Sequence, residues 1–172
     1  MHGPPRLEPR GKQANVSSIS LNELITKTGT EIGCSSWILV EQGRISAFAD
    51  VTDDHQFIHV DKQRAAQTPV GKTIAHGFLT LSLLSAMVEE AVPQLEHTVF
   101  GMVYGFDKVR FLSPVPVDSR IRGRFKLIEV KRRTAASYLI KHECTVEIEN
   151  AAKPALVAEW IYMLEVSEGK RS

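Results

Sequence analysis

Residues 77–92 read GFLTLSLLSAMVEEAV and form the most apolar long segment of the chain, which Pro93 closes. Apolar side chains recur at helical spacing and extend beyond a single face, so the segment predicts a helix that other elements must surround. The main stripe is Phe78, Leu81, Leu84, Ser85 and Val88, widened by Leu79, Leu83 and Met87. One long, buried central helix is the expectation that decides the fold.

Four strand-like segments follow this helix, at residues 99–111, 120–130, 136–148 and 154–165. In the second segment Ile121, Gly123, Phe125 and Leu127 alternate with Arg120, Arg122, Arg124 and Lys126. A period of two is typical of a half-buried strand, and short links between successive segments predict an antiparallel meander. A helix followed by strands indicates the α+β class, with a curved antiparallel sheet wrapped around the central helix.

Shorter elements are predicted before the central helix. They are helices at residues 21–28, 42–51 and 62–67 and a strand at residues 36–40. Ser20 and Glu23 have the spacing of a capping box at the start of the first helix. Asp61 can cap the third helix with its carboxylate. The shorter predicted elements therefore precede the longer ones in the sequence.

Composition indicates a globular protein. The 172 residues are 43% hydrophobic and 24% charged, close to the globular average, and they are enough to bury a core. Residues 1–16 are rich in Pro, Gly and Arg and lack an apolar period, which predicts a disordered segment. We therefore expect that segment to precede one domain over residues 17–168.

Charge and cysteine content limit the partners and the compartment. The formal net charge is +1, so the chain has no overall field for nucleic acid or for a membrane surface. Cys34 and Cys144 fit neither a disulfide framework nor a paired zinc motif, which favours free thiols in a reducing compartment. No apolar run has the length of a membrane span, and the N-terminus lacks the apolar region of a secretory signal. A cytoplasmic protein with no nucleic-acid or membrane partner is the expectation.

Acidic and imidazole side chains are concentrated in residues 48–77, FADVTDDHQFIHVDKQRAAQTPVGKTIAHG. The stretch connects segments predicted as helices, and loops on a rigid scaffold can aim side chains at one substrate atom. Carboxylates and imidazoles positioned in that way are the groups that proton-transfer chemistry uses. This stretch is the candidate active site.

The same stretch carries a motif. Its positions are filled by Phe48, Thr52, Asp54, Ile58, His59 and Ala65, and the match continues through Ala75-His76-Gly77 and through residues 109–115, VRFLSPV. By these residues the chain resembles the MaoC-like dehydratase family, which includes the (R)-specific enoyl-CoA hydratases and adopts the hot-dog fold. Asp53, Gln56 and Phe57 replace the family's usual glycine, asparagine and proline, a pattern similar to a branch with nodulation protein N-like members.

The resemblance implies the reversible addition of water to trans-2-enoyl thioesters, the reaction of an enoyl-CoA hydratase or 3-hydroxyacyl-thioester dehydratase, without a cofactor. This reaction needs a base for water, an acid for C2 and hydrogen-bond donors for the thioester oxygen. The motif assigns the catalytic roles to Asp54 and His59. Gly77 lies in the first turn of the predicted helix, where free N–H groups and the missing side chain suit substrate binding at the thioester oxygen.

The resemblance also implies the partners. The substrate would be an acyl-CoA or an acyl-carrier-protein thioester, bound in a tunnel between the two subunits of a homodimer. The exposed edges of an antiparallel sheet need cover, which favours the same dimer.

Some of these residues have other interpretations. His55 and His59 are four residues apart and could ligate a metal from one helical face, but no third ligand is placed, so no metal is predicted. His76 could be a core residue that makes one hydrogen bond. The basic residues of the second strand, together with Arg132 and Arg133, form either a solvated face or a surface for CoA phosphates.

Two other functional classes stay open. A hot-dog acyl-CoA thioesterase would need a carboxylate near the first turns of the central helix, and residues 77–82 carry none. A non-catalytic acyl-thioester-binding domain is the other class, because a fold does not determine a function.

Overall fold

The computed structural model describes residues 17–167, so the predicted disordered segment, residues 1–16, lies outside the described residues. The helices are α1 (Leu21–Thr26), α2 (Gln42–Thr52), α3 (Phe57–Val60), α4 (Lys62–Ala65), α5 (Gly77–Ser82) and α6 (Leu84–Ala91). The strands are β1 (Ser18–Ile19), β2 (Glu31–Cys34), β3 (Ile38–Val40), β4 (Gln94–Leu95), β5 (Thr98–Phe111), β6 (Ser119–Arg132), β7 (Ser137–Ile148) and β8 (Leu156–Val166). This order is that of an α+β fold, as predicted.

The main sheet is antiparallel, in the order β2-β6-β7-β8-β5, and β3 also pairs with β6. Strands β1 and β4 pair in parallel as a separate small sheet. The predicted meander is confirmed for β6, β7 and β8. It is wrong for β5, which pairs with β8 at one edge of the sheet and not with β6.

The link between β5 and β6 explains this difference, because it crosses two intervening strands and does not form a hairpin. The Ala75 N–H donates to the Val115 carbonyl at 2.8 Å, and the Val117 N–H donates to the Thr73 carbonyl at 2.8 Å. These bonds pair backbone N–H and C=O groups of the link, which in a hairpin would bond to the adjacent strand. They also tie the link to the segment before α5, so the link becomes a wall of the candidate site.

The predicted central helix forms as two consecutive helices, α5 and α6, with Leu83 between them. The Leu83 N–H donates to the Leu79 carbonyl and the Met87 N–H to the Leu83 carbonyl, each at 3.1 Å, so the helical path continues through the junction. Leu79, Leu84 and Met87 are buried, as predicted. Phe78, which the apolar stripe placed in the core, is instead 68% exposed in the single chain.

The main apolar core lies between these helices and the sheet. Its fully buried members include Ile45 of α2, Leu84 and Met87 of α6, Phe125 of β6 and Trp160 of β8. Burying one such side chain contributes roughly 1.5–3 kcal/mol. The alternation predicted for β6 is confirmed, because Ile121, Gly123, Phe125 and Leu127 are buried while the basic residues between them are half-buried or exposed.

Most of the shorter elements agree with the sequence. The Ser20 hydroxyl accepts from the Glu23 N–H at 3.2 Å at the start of α1. The Asp61 carboxylate accepts from the N–H groups of Gln63 and Arg64, both at 3.0 Å, at the start of α4. The predictions lacked strands β1, β2 and β4 and helix α3, because each has only two to four residues and is too short to show a period.

Cys34 is exposed and Cys144 is buried, and both are free thiols, as predicted. Across residues 17–167, no helix has the length and apolarity needed to cross a membrane.

Candidate active site

Asp54 follows α2 on a sharp turn. Asp53, the C-cap of α2, has a φ of 55°, in the left-handed region that glycine adopts freely and that Asp and Asn tolerate best among other residues. The glycine that the motif carries at this position therefore has a conformational reason, which aspartate meets. Asp54 itself is exposed, and its Oδ1 accepts from the Gln56 N–H at 3.4 Å.

His59 lies on α3 and is 6% exposed. Its Nδ1 is 2.8 Å from the Ile74 carbonyl oxygen. Because a carbonyl can only accept, Nδ1 carries the hydrogen in this bond, and in the neutral ring Nε2 is left with a free lone pair. The fold thus sets the tautomer of His59.

His76 caps the start of α5 and is 3% exposed. Its Nε2–H donates to the Asp54 backbone carbonyl at 3.0 Å, which ties the Asp54 turn to the central helix. Its ring stacks on that of His59, with centroids 3.7 Å apart and planes 25° apart. A core residue with one hydrogen bond is one interpretation of His76 that the sequence allows. Its place in Ala75-His76-Gly77 was the signal that it belongs to the site.

Asp54, His59 and His76 therefore meet in space, and one potential ligand atom from each lies within 4.8 Å of the others. His76 supplies the third group that a metal site would need and that the sequence did not place. The two rings are stacked, however, so a metal in the plane of one imidazole would lie well outside the plane of the other. We interpret the cluster as a proton-transfer site, which does not need both lone pairs to meet at one point.

His55, the other candidate ligand, lies apart from this cluster. It precedes α3 on an exposed turn, so it shares no helical face with His59. Its Nε2 contacts the Asp50 carboxylate at 3.0 Å, and this hydrogen bond raises the pKa of His55.

A cavity of about 340 Å³ opens beside the cluster. His59 and Gly77 both line it, and Asp54 does not. Its walls are mainly apolar and include Ile58, Ile74, Ala75, Leu112, Val115 and Ala155. A Cβ on Gly77 would lie 3.0 Å from the ring of Phe111, so only glycine fits here without displacing that ring. The cavity therefore offers a mainly apolar space beside the His59 imidazole.

Burial lowers the pKa of His59 below 6.5, because the charged imidazolium loses solvation. The hydrogen bond to the Ile74 carbonyl and the charge of Asp54 both act to raise the pKa of His59. The neighbouring His76 acts, like burial, to lower it. The net direction favours the neutral ring near pH 7, with its Nε2 lone pair available.

The basic face of β6 is occupied by carboxylates. Arg120 binds Glu149 at 3.1 Å, Arg122 binds Glu147 at 2.6 Å, and Arg124 binds both Glu147 and Glu31 at 2.8 Å. These partners support the interpretation of this face as a solvated surface.

Comparison with known proteins gives both sequence and structural relatives. Residues 23–149 match the family model described as "MaoC like domain". The chain is 50% identical over 154 residues to Nodulation protein N of Rhizobium leguminosarum bv. viciae, covering 89% of this chain and 96% of that protein. It is 42% identical over 149 residues to 3-hydroxyacyl-thioester dehydratase Z of Mycobacterium tuberculosis, covering 83% of this chain and 93% of that protein.

Among solved structures, the monoamine oxidase regulatory protein from Archaeoglobus fulgidus superposes with a TM-score of 0.73. The superposition covers 88% of this chain and 97% of that one, at 23% sequence identity. The chain has the hot-dog fold, as its sequence predicted.

Proposed function

Because the chain belongs to the MaoC-like dehydratase family, we propose that it catalyses the reversible addition of water to trans-2-enoyl thioesters, as an (R)-specific enoyl-CoA hydratase or 3-hydroxyacyl-thioester dehydratase. One observation carries the proposal. The Asp54 carboxylate and the His59 imidazole, whose unprotonated Nε2 is a second hydrogen-bond acceptor, belong to one cluster beside an apolar cavity that His59 lines. A water molecule, with two O–H donors, is the ligand that satisfies both.

In hydration, the oxygen of this water bonds to C3 of the enoyl thioester while one of its protons passes to the catalytic pair. The electrons of the C2–C3 double bond move toward the thioester oxygen, and they return when C2 takes a proton from the pair. Asp54 and His59 act as this pair, so both protons are accounted for.

Gly77 is the proposed donor to the thioester oxygen. It is the first residue of α5, so its N–H has no partner within the helix. It also lines the cavity. A backbone donor at this position stabilises the enolate-like oxygen of the transition state, which is usually a large contribution to the rate.

The substrate we propose is an acyl-CoA or acyl-carrier-protein thioester. The apolar cavity walls suit its acyl chain, and the relative from M. tuberculosis is named for a 3-hydroxyacyl thioester.

The assembly we propose is a homodimer through β5. This edge strand is 14 residues long and pairs only with β8 among the described elements. It exposes large apolar side chains, including Val99 at 70% and Tyr104 at 53%. A long apolar edge invites pairing with another strand, and a second copy supplies an identical one.

Analytical ultracentrifugation at micromolar concentration tests the dimer. We expect twice the mass of one chain for the wild type, and a single-chain mass together with lower activity for Val103→Asp. Ile25→Asp on α1 changes another exposed apolar residue and should keep the dimer. A wild type with the mass of one chain would refute the dimer.

Crotonyl-CoA separates the three functional classes in one assay. A hydratase removes the absorbance of the conjugated enoyl thioester without releasing thiol. A thioesterase releases free CoA thiol, and a binding domain does neither. Loss of the enoyl absorbance without thiol is the expected result, and either other outcome would reject the proposed reaction on this substrate.

A further inference from the structure

Gln42, the first residue of α2, bonds two separate segments of the site. Its Nε2 donates to the His59 backbone carbonyl at 2.8 Å, and its Oε1 accepts from the Thr73 hydroxyl at 2.6 Å. The residue after Thr73 is Ile74, whose carbonyl accepts from the His59 ring at 2.8 Å. These bonds close a ring that runs from the His59 backbone through Gln42, Thr73 and Ile74 back to the His59 imidazole.

The ring of bonds holds His59 at two points. Its backbone carbonyl and its Nδ1 are both tied to the same dipeptide, once through Gln42 and once directly. Helix α3 has four residues and no side-chain cap, so it gives His59 little support of its own. The support therefore comes from the start of the longer α2 helix and from the segment before α5.

Only one arrangement of hydrogen bonds around the Gln42 amide pairs both of its neighbours. The Thr73 hydroxyl is buried, at 1% exposure, so the acceptor that it donates to is costly to remove. The His59 carbonyl can only accept, so it needs the amide hydrogens of Gln42. An amide side chain supplies the acceptor and the donor together.

We propose that Gln42 and Thr73 are positioning residues that hold the His59 imidazole in its Nδ1–H tautomer, which leaves the Nε2 lone pair free for catalysis. This inference rests on the proposed function, because it takes His59 as the catalytic imidazole.

Kinetics test the inference first. Gln42→Met removes the bonds to His59 and Thr73, together with a weaker one to Ser46, at similar volume. Thr73→Val removes the hydroxyl while keeping the shape. We expect Gln42→Met to lower kcat by up to about a hundredfold, as small misplacements of catalytic groups do, with a smaller change in KM. Thr73→Val should act in the same direction, and Thr73→Ser, which keeps the hydroxyl, should restore kcat.

Ser46→Ala is the matched control, because Ser46 is the other side-chain partner of Gln42, at 3.3 Å, and makes no hydrogen bond to His59 among the described residues. It should keep the wild-type kcat. In a His59→Gln background, Gln42→Met should have no further effect, since there is no imidazole left to position. An equal loss of kcat in both backgrounds would show a general structural role and overturn the inference.

NMR of the ¹⁵N-labelled His59 ring provides a readout that does not depend on turnover. The wild type should show a protonated Nδ1 and an unprotonated Nε2 above the pKa of the ring, and Gln42→Met should mix the two tautomers. If the wild type has no hydratase activity, the proposed function fails, and this spectrum still decides the role of Gln42. An unchanged tautomer in Gln42→Met, or in Thr73→Val should Gln42→Met fail to fold, would overturn the inference.

Discussion

Two buried histidines lie in different regions of this molecule and have different surroundings. His59, in the loop-rich site, is 6% exposed, and His142, on β7 in the sheet, is 5% exposed. Burial lowers the pKa of both, that of His142 to about 4. The His59 ring has a carbonyl partner at Nδ1 and a carboxylate neighbour. The His142 ring packs edge-on against Phe125, and its Nε2 has no hydrogen-bond partner among the described residues.

The comparison shows that burial alone does not identify a histidine that can take part in catalysis. Both rings lose solvation, but only His59 has one nitrogen fixed by a partner and lines a cavity. His142 pairs with Leu127 and Trp160 in the sheet, is 5% exposed and does not line the cavity beside His59. A lowered pKa therefore identifies a functional group only together with a defined tautomer and access to a substrate.

Removing the site pair should have the largest effect. Asp54→Asn and His59→Gln should each lower kcat about a hundred- to ten-thousandfold, because each removes a positioned acid–base group. The double variant should be little worse than the worse single variant, since the two act as a unit. His142→Leu should leave kcat near the wild-type value. The measurement is the steady-state hydration of crotonyl-CoA.

Asp53→Asn is the internal control for this prediction. Asparagine also tolerates the φ of 55°, so the turn should persist and hydration should continue. Loss of hydration in Asp53→Asn, together with full activity in Asp54→Asn, would move the catalytic aspartate by one residue.

Gly77 in the site and Gly123 in the sheet allow the same comparison between two backbone positions. Gly77→Pro should lower kcat about a hundred- to a thousandfold, because it removes one oxyanion donor. Proline fits the first helical position, and His76, at a ψ of 141°, already has the extended conformation that precedes proline. Gly77→Ala keeps the N–H and controls for crowding against Phe111. Near-normal turnover in a folded Gly77→Pro protein would reject the donor assignment.

Gly123 is the counterpart in the sheet, since a Cβ there would also lie 3.0 Å from an aromatic ring, that of Phe125. Phe125 is fully buried and cannot turn away, whereas Phe111 is 48% exposed and can. Gly123→Ala should therefore cost roughly 1–3 kcal/mol of unfolding free energy, the usual range for overpacking. Its kcat per folded protein should stay unchanged. Urea denaturation and kinetics on the same samples measure both quantities.

The two regions also differ in how far the sequence predicted them. The strands after residue 98 agree with the predicted segments to within two residues, because runs of 11 to 14 β-rich residues are a long signal, strengthened in β6 and β7 by clear alternation. The pairing of β5 with β8 was not predicted. It depends on the path of the link from β5 to β6 across the sheet, and no local pattern in the sequence encodes that path.

At the site, the motif predicted roles for Asp54 and His59, and the first turn of the predicted helix predicted one for Gly77. These roles stay predictions, and the sequence missed the contacts that join the site's parts. The stacking of His76 on His59 and the bonds of Gln42 join residues 17 to 31 positions apart, and no periodicity reports such contacts. They follow from packing in three dimensions.

Replacing His142 should change how stability depends on pH. Its folded pKa of about 4 lies below the ordinary 6.5, so the unfolded chain binds a proton first as the pH falls. The contribution of His142 to the free energy of unfolding therefore has its full value above pH 6.5. It falls by roughly 3 kcal/mol between pH 6.5 and pH 4, at about 1.4 kcal/mol for each pH unit. His142→Leu lacks this term. Urea denaturation of both proteins between pH 7 and pH 4 should show a widening difference in favour of the variant, and parallel curves would contradict it.

The smallest expected effect is the order in which three histidines titrate. His55 should titrate above 6.5, because the Asp50 carboxylate accepts a hydrogen bond from its ring. His59 should titrate below 6.5, and His142 lowest, near 4, because burial dominates at both. An NMR titration of the ring signals measures all three, with Asp50→Asn as the control that should lower the midpoint of His55 alone. A midpoint above 6.5 for His59 would mean that its imidazole is largely protonated near neutral pH, with no lone pair on Nε2. The two buried histidines would then differ in charge as well as in access, and the water site between Asp54 and His59 would have to be reassigned.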